Sequence, residues 1–204
     1  MNIGIDIDGV INDLSLFHIT CGTEFCYEND ITITINEHAM DSQDIFSWNQ
    51  SIDDIFWEKN YLRLLLYSDF TRFYVSQVTH SLCSNGHNIY FISARKDAEL
   101  PYFEKRNMYD LTQMYLHNCN VNYNHLILSD NKWELIKSLN IDLMIEDNPS
   151  FFTSSKRSLS IPLMCFNTPY NQDVCGFNIT RVYSWHDILF KIKNEMYKED
   201  NYER

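Results

Sequence analysis

No run in this 204-residue chain approaches the roughly 20 consecutive apolar positions of a membrane-spanning helix, so no spanning segment is expected. The start has no basic stretch followed by a cleavable segment; it enters a β-branched run directly, and a cytoplasmic location is expected. Basic residues are few: 16 Lys and Arg against 28 Asp and Glu leave a net charge of −12. That argues against a nucleic-acid partner, because phosphate backbones are held by basic surfaces. One small phosphorylated substrate stays compatible, since a bound cation would neutralise it locally. The six cysteines form no CxxC pair, and no His cluster stands at zinc spacing. They read as reduced thiols that mostly fill core. Internal repeats and low-complexity tracts are lacking too.

What is present describes a globular α/β protein. Hydrophobic content of 45% with 15% aromatic residues excludes disorder, and the length fits one domain or one domain with an inserted subdomain. Short β-rich apolar runs lie at 3–7, 88–93, 125–128, 143–145 and 161–166, with helical periods at 70–83, 100–117 and 132–139 between them. Such alternation predicts a parallel sheet covered by helices on both faces. A serine cap at Ser184 precedes a final helix over 184–197. About eighty residues separate the first two strands, where one crossover helix needs far fewer. Residues 14–66 are therefore expected to be an insertion lying over the carboxyl end of the first strand, with 1–13 and 67–204 forming the core domain. Its aromatics (Phe17, Phe25, Phe46, Trp48, Phe56, Trp57 and Tyr61) are expected mostly to pack together, a few facing the cleft to exclude water.

The chemistry is concentrated at strand ends. Asp6 and Asp8 flank Ile7 just before Gly9, and a strand that unwinds there presents both carboxylates where open α/β sheets hold ligands. Ser93-Ala94-Arg95 follows the second strand; a hydroxyl with nearby backbone N–H groups suits a phosphoryl oxygen. Lys132 opens a helix, an unfavourable position against the helix dipole. Glu146-Asp147 ends the 143–145 strand, ahead of Pro149. Each feature alone is an ordinary cap or surface residue. Together they put about four acids, one lysine and one hydroxyl in one crevice, a set suited to a hard cation such as Mg²⁺ with oxygen ligands.

DxDGV at 6–10, Ser93, Lys132 and Glu146-Asp147 resemble, in order and spacing, the four motifs of the haloacid dehalogenase (HAD) superfamily of phosphohydrolases. The resemblance covers nearly the whole chain. The segments IGIDIDGVIND, ISAR, LNIDLMIEDNPS and RVYSWHDI are similar to the cytosolic 5′(3′)-deoxyribonucleotidase-like group. It implies a Rossmannoid core with a type-C1 helical cap, an aspartyl-phosphate on Asp6, and Asp8 as acid and then base. It also implies Lys132 balancing charge, and Mg²⁺ held by the Asp6 carboxylate, the Asp8 backbone carbonyl and Asp147, with Glu146 behind. Glu in place of the more usual Asp at 146 leaves the split between the two acids open. Arg95 either reaches substrate phosphate or pairs with the acidic rim. Trp48 and Trp57 are candidates to stack on a base. The expected substrate is a nucleoside monophosphate; a sugar phosphate, or a non-catalytic phosphate-binding module, is the alternative. A receiver-type phosphoacceptor fits less well, given the long insertion, and a homodimer is left open.

Overall fold

A computed structural model describes residues 1–96, 107–154 and 161–202. Six strands, β1 (Asn2–Ile5), β2 (Asn88–Ser93), β3 (His125–Leu128), β4 (Leu143–Glu146), β5 (Leu163–Phe166) and β6 (Ile179–Val182), form one sheet in the order β3-β2-β1-β4-β5-β6. Every neighbouring pair is parallel, with Ile3 opposite Ile89 and Leu143. The period-two pattern sorts side chains to two faces. Ile3, Ile5, Ile89, Phe91, Leu143 and Ile145 join a core on one face, whereas Ile92, Met144 and Cys165 join a second core on the other. Helices α4 (Val75–Ser84), α5 (Met108–Asn118) and α8 (Trp185–Tyr202) cover the first face; α6 (Lys132–Ser138) and α7 (Pro149–Thr153) cover the second.

The expected α/β architecture is present, with shifted boundaries. β1 stops at Ile5, not at residue 7, because the Ile7 carbonyl accepts from the N–H groups of Val10, Ile11 and Asn12 and curls the chain. The helix expected from residue 70 starts at Val75, because residues 11–13 and 70–72 pair with each other: Asp13 N–H donates to Phe70 O at 2.7 Å and Arg72 N–H to Ile11 O at 2.9 Å. For the expected helix 100–117, positions 100–106 lie outside the described residues, and α5 begins at Met108 behind the Asn107 cap. β6 was not expected: a four-residue edge strand, half polar, carries little periodic signal.

Residues 14–66 contain α1 (Leu14–Glu28), α2 (Ser42–Phe46) and α3 (Gln50–Leu66). Phe17, Phe25, Phe46, Trp48 and Phe56 form an aromatic cluster of their own, while the end of α3 packs on α5 through Leu65, Met108 and Leu111. All six cysteines are free thiols. Among the described residues no helix is long and apolar enough to cross a membrane.

Trp185 at the start of α8 is fully buried and its Nε1–H donates to the Val10 carbonyl at 3.0 Å. It thereby ties the last helix to the loop after β1. Trp185→Ala should cost about 3–5 kcal/mol through the cavity and the orphaned carbonyl, read as a lower urea midpoint. An unchanged midpoint would show that this anchor is dispensable.

Candidate functional site

The carboxyl ends of β1, β2 and β4, with the start of α6, meet in one crevice. Asp6 continues the ladder by one bond, its N–H donating to Ile145 O at 3.0 Å, so its side chain is set by the sheet itself. Lys132 Nζ lies 2.7 Å from Asp6 Oδ1 and 2.6 Å from Glu146 Oε2, and all three residues are buried. Burial alone would lower the ammonium, but Asp6 and Glu146 hold it above its usual range. Two carboxylates thus outweigh the unfavourable helix-start position.

Glu146 is fully used: Oε2 takes the lysine, and Oε1 accepts the N–H of Asp147 at 3.0 Å and of Asn148 at 3.2 Å. Among the described residues Asp147 has no cation beside it. Its Oδ2 accepts from the Tyr170 hydroxyl, its backbone carbonyl accepts from Asn171 Nδ2 at 2.8 Å, and its buried Oδ1 has no hydrogen-bond partner among those residues. Burial, then Glu146 and Asp6, push its carboxyl well above the ordinary range. Burial and Asp147 likewise raise the Tyr170 phenol, which stays a donor.

Gly9 is required between the two halves. Its φ is +85°, and a Cβ there would lie 1.9 Å from Asp147 Oδ2. Gly9 N–H donates to Asn12 Oδ1 at 2.8 Å, and Asn12 Nδ2 donates to Asp8 Oδ1 at 2.8 Å. Asp8 is gripped twice by Arg95, Nε to Oδ2 at 2.8 Å and Nη2 to Oδ1 at 2.7 Å. Burial would raise the Asp8 carboxyl, yet the guanidinium overrides it and holds the group below its ordinary range. Arg95 therefore sits on the acidic rim. Ser93 is buried, its Oγ accepting the Arg95 N–H at 3.3 Å, and Ala94 is exposed at the mouth of a cleft of about 330 Å³ beside Lys132 and Glu146.

The two tryptophans part company. Trp48 does not face the crevice: the left-handed Ser47 that ends α2 turns the chain back, and Trp48 stacks on Phe46 at 4.5 Å inside the aromatic cluster. That corrects its expected place at a ligand. Trp57 is half-buried; its Nε1–H donates to Ser42 Oγ at 3.0 Å, and Ser42 donates to the buried Asp53 at 2.6 Å. His18 lies edge-on to Trp57 at 5.5 Å, Tyr61 lies edge-on to the same indole at 5.9 Å, and both His18 and Tyr61 feel the charge of Asp8. Burial depresses His18 to about 4, so it is neutral.

The oxygen set fits a hard divalent cation. One carboxylate oxygen each from Asp6, Glu146 and Asp147 lies within 4.8 Å of the others, and the orphaned Asp147 Oδ1 is a buried acceptor awaiting a partner. Sequence reasoning missed Tyr170, Asn171 and Arg72. Arg72 donates to the Gly9 carbonyl at 3.0 Å and to Asp13 Oδ2 at 2.9 Å. Tyr170 and Asn171 sit in no motif or periodic run, and Arg72 falls within the helical period 70–83, which marks it only as a helix residue.

No described protein-family profile matches the chain. A Bacillus subtilis protein, YqfW, which carries a provisional nucleotidase name, is 26% identical over 95% of this chain and 94% of its own length. A nucleotidase of Clostridium acetobutylicum is 28% identical over 92% and 91%. Among solved structures, a haloacid dehalogenase-like hydrolase of Streptococcus pneumoniae superposes with a TM-score of 0.60 at 10% identity, over 94% of this chain and 98% of that one.

A cation-free site carries a pH signature. Burial and Glu146 push Asp6 up to about 8 from 3.8, so folding takes up a proton in that window and this contribution to stability falls as pH rises through it. In EDTA, the Tm difference between the unmodified protein and Asp6→Asn should shrink from about pH 5 to about pH 8. A flat difference would mean Asp6 is ionised throughout.

At the level of fold the resemblance read from the four motifs holds: the chain has the HAD-type α/β fold and is similar along more than nine-tenths of its length to bacterial proteins named as nucleotidases.

Proposed function

We propose that this protein is a Mg²⁺-dependent phosphomonoesterase working in the reducing cytosol through an aspartyl-phosphate, with nucleoside monophosphates as its substrates. The observation that carries the reading is the Asp6–Lys132–Glu146 arrangement beside an Asp147 oxygen with no partner. The relatives named as nucleotidases support the substrate class. Residues 14–66 are proposed as a cap closing over the crevice, with 1–13 and 67–204 as the core.

In this reading an Asp6 carboxylate oxygen attacks phosphorus, the bond to the leaving oxygen breaks, and that oxygen takes a proton from Asp8. Asp8 then removes a proton from water as the water oxygen attacks phosphorus and the bond to Asp6 breaks, releasing phosphate. Lys132 holds Asp6 oriented and offsets its charge. Ser93 Oγ and the N–H groups of Ala94 and Arg95 hold phosphoryl oxygens. Arg95 keeps Asp8 ionised at rest, so before the first transfer Asp8 takes up a proton from solvent as the guanidinium releases it, and a phosphate dianion is the natural competitor for that guanidinium. Asp6, the Asp8 backbone carbonyl and Asp147 would hold Mg²⁺, with Glu146 orienting Asp147; when bound, the ion supplies charge neutralisation that lets a dianion approach four acids.

Hydrolysis of nucleotides and sugar phosphates, compared with Mg²⁺ and with EDTA, tests this. Activity should vanish in EDTA and return with Mg²⁺; full activity in EDTA would refute the metal assignment. Asp6→Asn should be inactive while folded, and Asp8→Asn should lose about 10²–10⁴-fold and accumulate phosphoenzyme. If sugar phosphates are turned over better than nucleotides, the nucleotidase reading gives way to a general phosphatase.

Substrate choice has its own test at Trp57, the tryptophan whose ring neighbours His18 and Tyr61 feel the charge of Asp8. Base stacking contributes roughly 1–3 kcal/mol elsewhere. Trp57→Ala should therefore raise KM for nucleotides well beyond any effect on p-nitrophenyl phosphate, whereas Trp48→Ala should affect both alike through stability.

A further inference from the structure

The turn that follows β5 is built around Asp147. Residues Pro169–Asn171 form a single 3-10 turn: the Asn171 N–H donates to the Thr168 carbonyl at 3.4 Å, and Asn171 Oδ1 accepts the Thr168 N–H at 3.2 Å. Asn171 is buried, and its Nδ2 donates to the carbonyls of Asp147 and Phe166, each at 2.8 Å. Arg181 on β6 locks the turn from outside, donating to Asn171 Oδ1 at 2.8 Å and to the carbonyls of Asn171 and Val174 at 2.9 Å. The Lys191 ammonium on α8 donates to the Arg181 carbonyl at 2.6 Å. What this scaffold delivers is the Tyr170 hydroxyl, which donates to Asp147 Oδ2. Gly9 is packed so close to the same oxygen that a Cβ there would lie 1.9 Å from it. Oδ2 is thus enclosed, and Oδ1 is left buried without a partner.

We infer that Tyr170 is a positioning residue that presents Asp147 to a divalent cation through Oδ1 alone, with Asn171 and Arg181 holding Tyr170 in place. This rests on the metal-binding half of the proposed function. A carboxylate free to rotate offers two oxygens in many orientations. One whose second oxygen is engaged offers a single oxygen in one orientation, which favours a small ion that keeps a regular octahedron with several waters. Partners behind a ligand typically change metal affinity by about 10–100-fold when removed.

The test is metal binding by the whole chain, read without turnover. Mn²⁺ is titrated by electron paramagnetic resonance and Mg²⁺ by calorimetry on the unmodified protein, Asp147→Asn, Tyr170→Phe and Arg181→Gln. Asp147→Asn should abolish binding. Tyr170→Phe, which removes only a hydroxyl, should weaken it about 10–100-fold with little change in Tm and with an altered Mn²⁺ signal. Arg181→Gln, which loosens the turn without touching Asp147, should weaken it in the same direction, and carries the test if Tyr170→Phe does not fold. Equal affinity in Tyr170→Phe and the unmodified protein would overturn the inference and leave the metal reading standing. An unmodified protein that binds neither ion would overturn the metal reading and this inference with it.

Discussion

Lys132 is the one buried cation that two buried carboxylates share, and the arrangement of the crevice follows from that shortage of positive charge. Among the described residues four acids, Asp6, Asp8, Glu146 and Asp147, face two cations, Lys132 and Arg95. Taking an ion out of water costs several kcal/mol even after relaxation, so each acid must find a compensating group or a proton. Glu146 takes half of the lysine and two backbone N–H groups. Asp8 takes two donors along one edge of a guanidinium. Asp6 shares the lysine, and Asp147 has only a phenol. The two left short are the two whose protonation is favoured. The excess of two negative charges, were all four ionised, equals the charge of one divalent cation.

The sheet order explains how residues so far apart in the chain meet. β1 lies between β2 and β4, and all strands run the same way, so their carboxyl ends open on one edge where the chain leaves for the next helix. The alternation of apolar runs and helical segments, and so the α/β class, was legible because the period changes from two to 3.6 and back. The strand-end acids, Ser93 and Lys132 were legible for the same reason. Polar residues of those types directly after an apolar run stand out from the pattern.

What the sequence did not display is whatever depends on a turn or on a partner remote in sequence. Which of its two expected roles Arg95 takes, and whether Trp48 packs inside or faces the crevice, both turn on side-chain direction: Trp48 follows a left-handed Ser47, a conformation that a serine in the sequence does not announce. Tyr170 and Asn171 lie in a three-residue turn, and Arg181 on β6 behind them donates to three carbonyls and two amide oxygens. Such networks have no period. They are visible only once both ends are placed.

The helices of residues 14–66 join the sheet through two short crossings that are zipped together, residues 11–13 against 70–72. Arg72 spans this junction, bonding the Gly9 carbonyl in the loop after β1 and Asp13, the residue that caps α1. Its guanidinium also lies over Phe166 at the end of β5 at 4.5 Å, the residue whose carbonyl receives Asn171. A displacement of α1 therefore cannot leave Gly9 untouched, and Gly9 is packed against Asp147 so closely that no side chain fits between them. Rigid, discretely packed contacts of this kind transmit small shifts rather than absorbing them. The position of α1 and the orientation of Asp147 are thus one mechanical problem, solved by one arginine, one glycine and the turn that carries Tyr170.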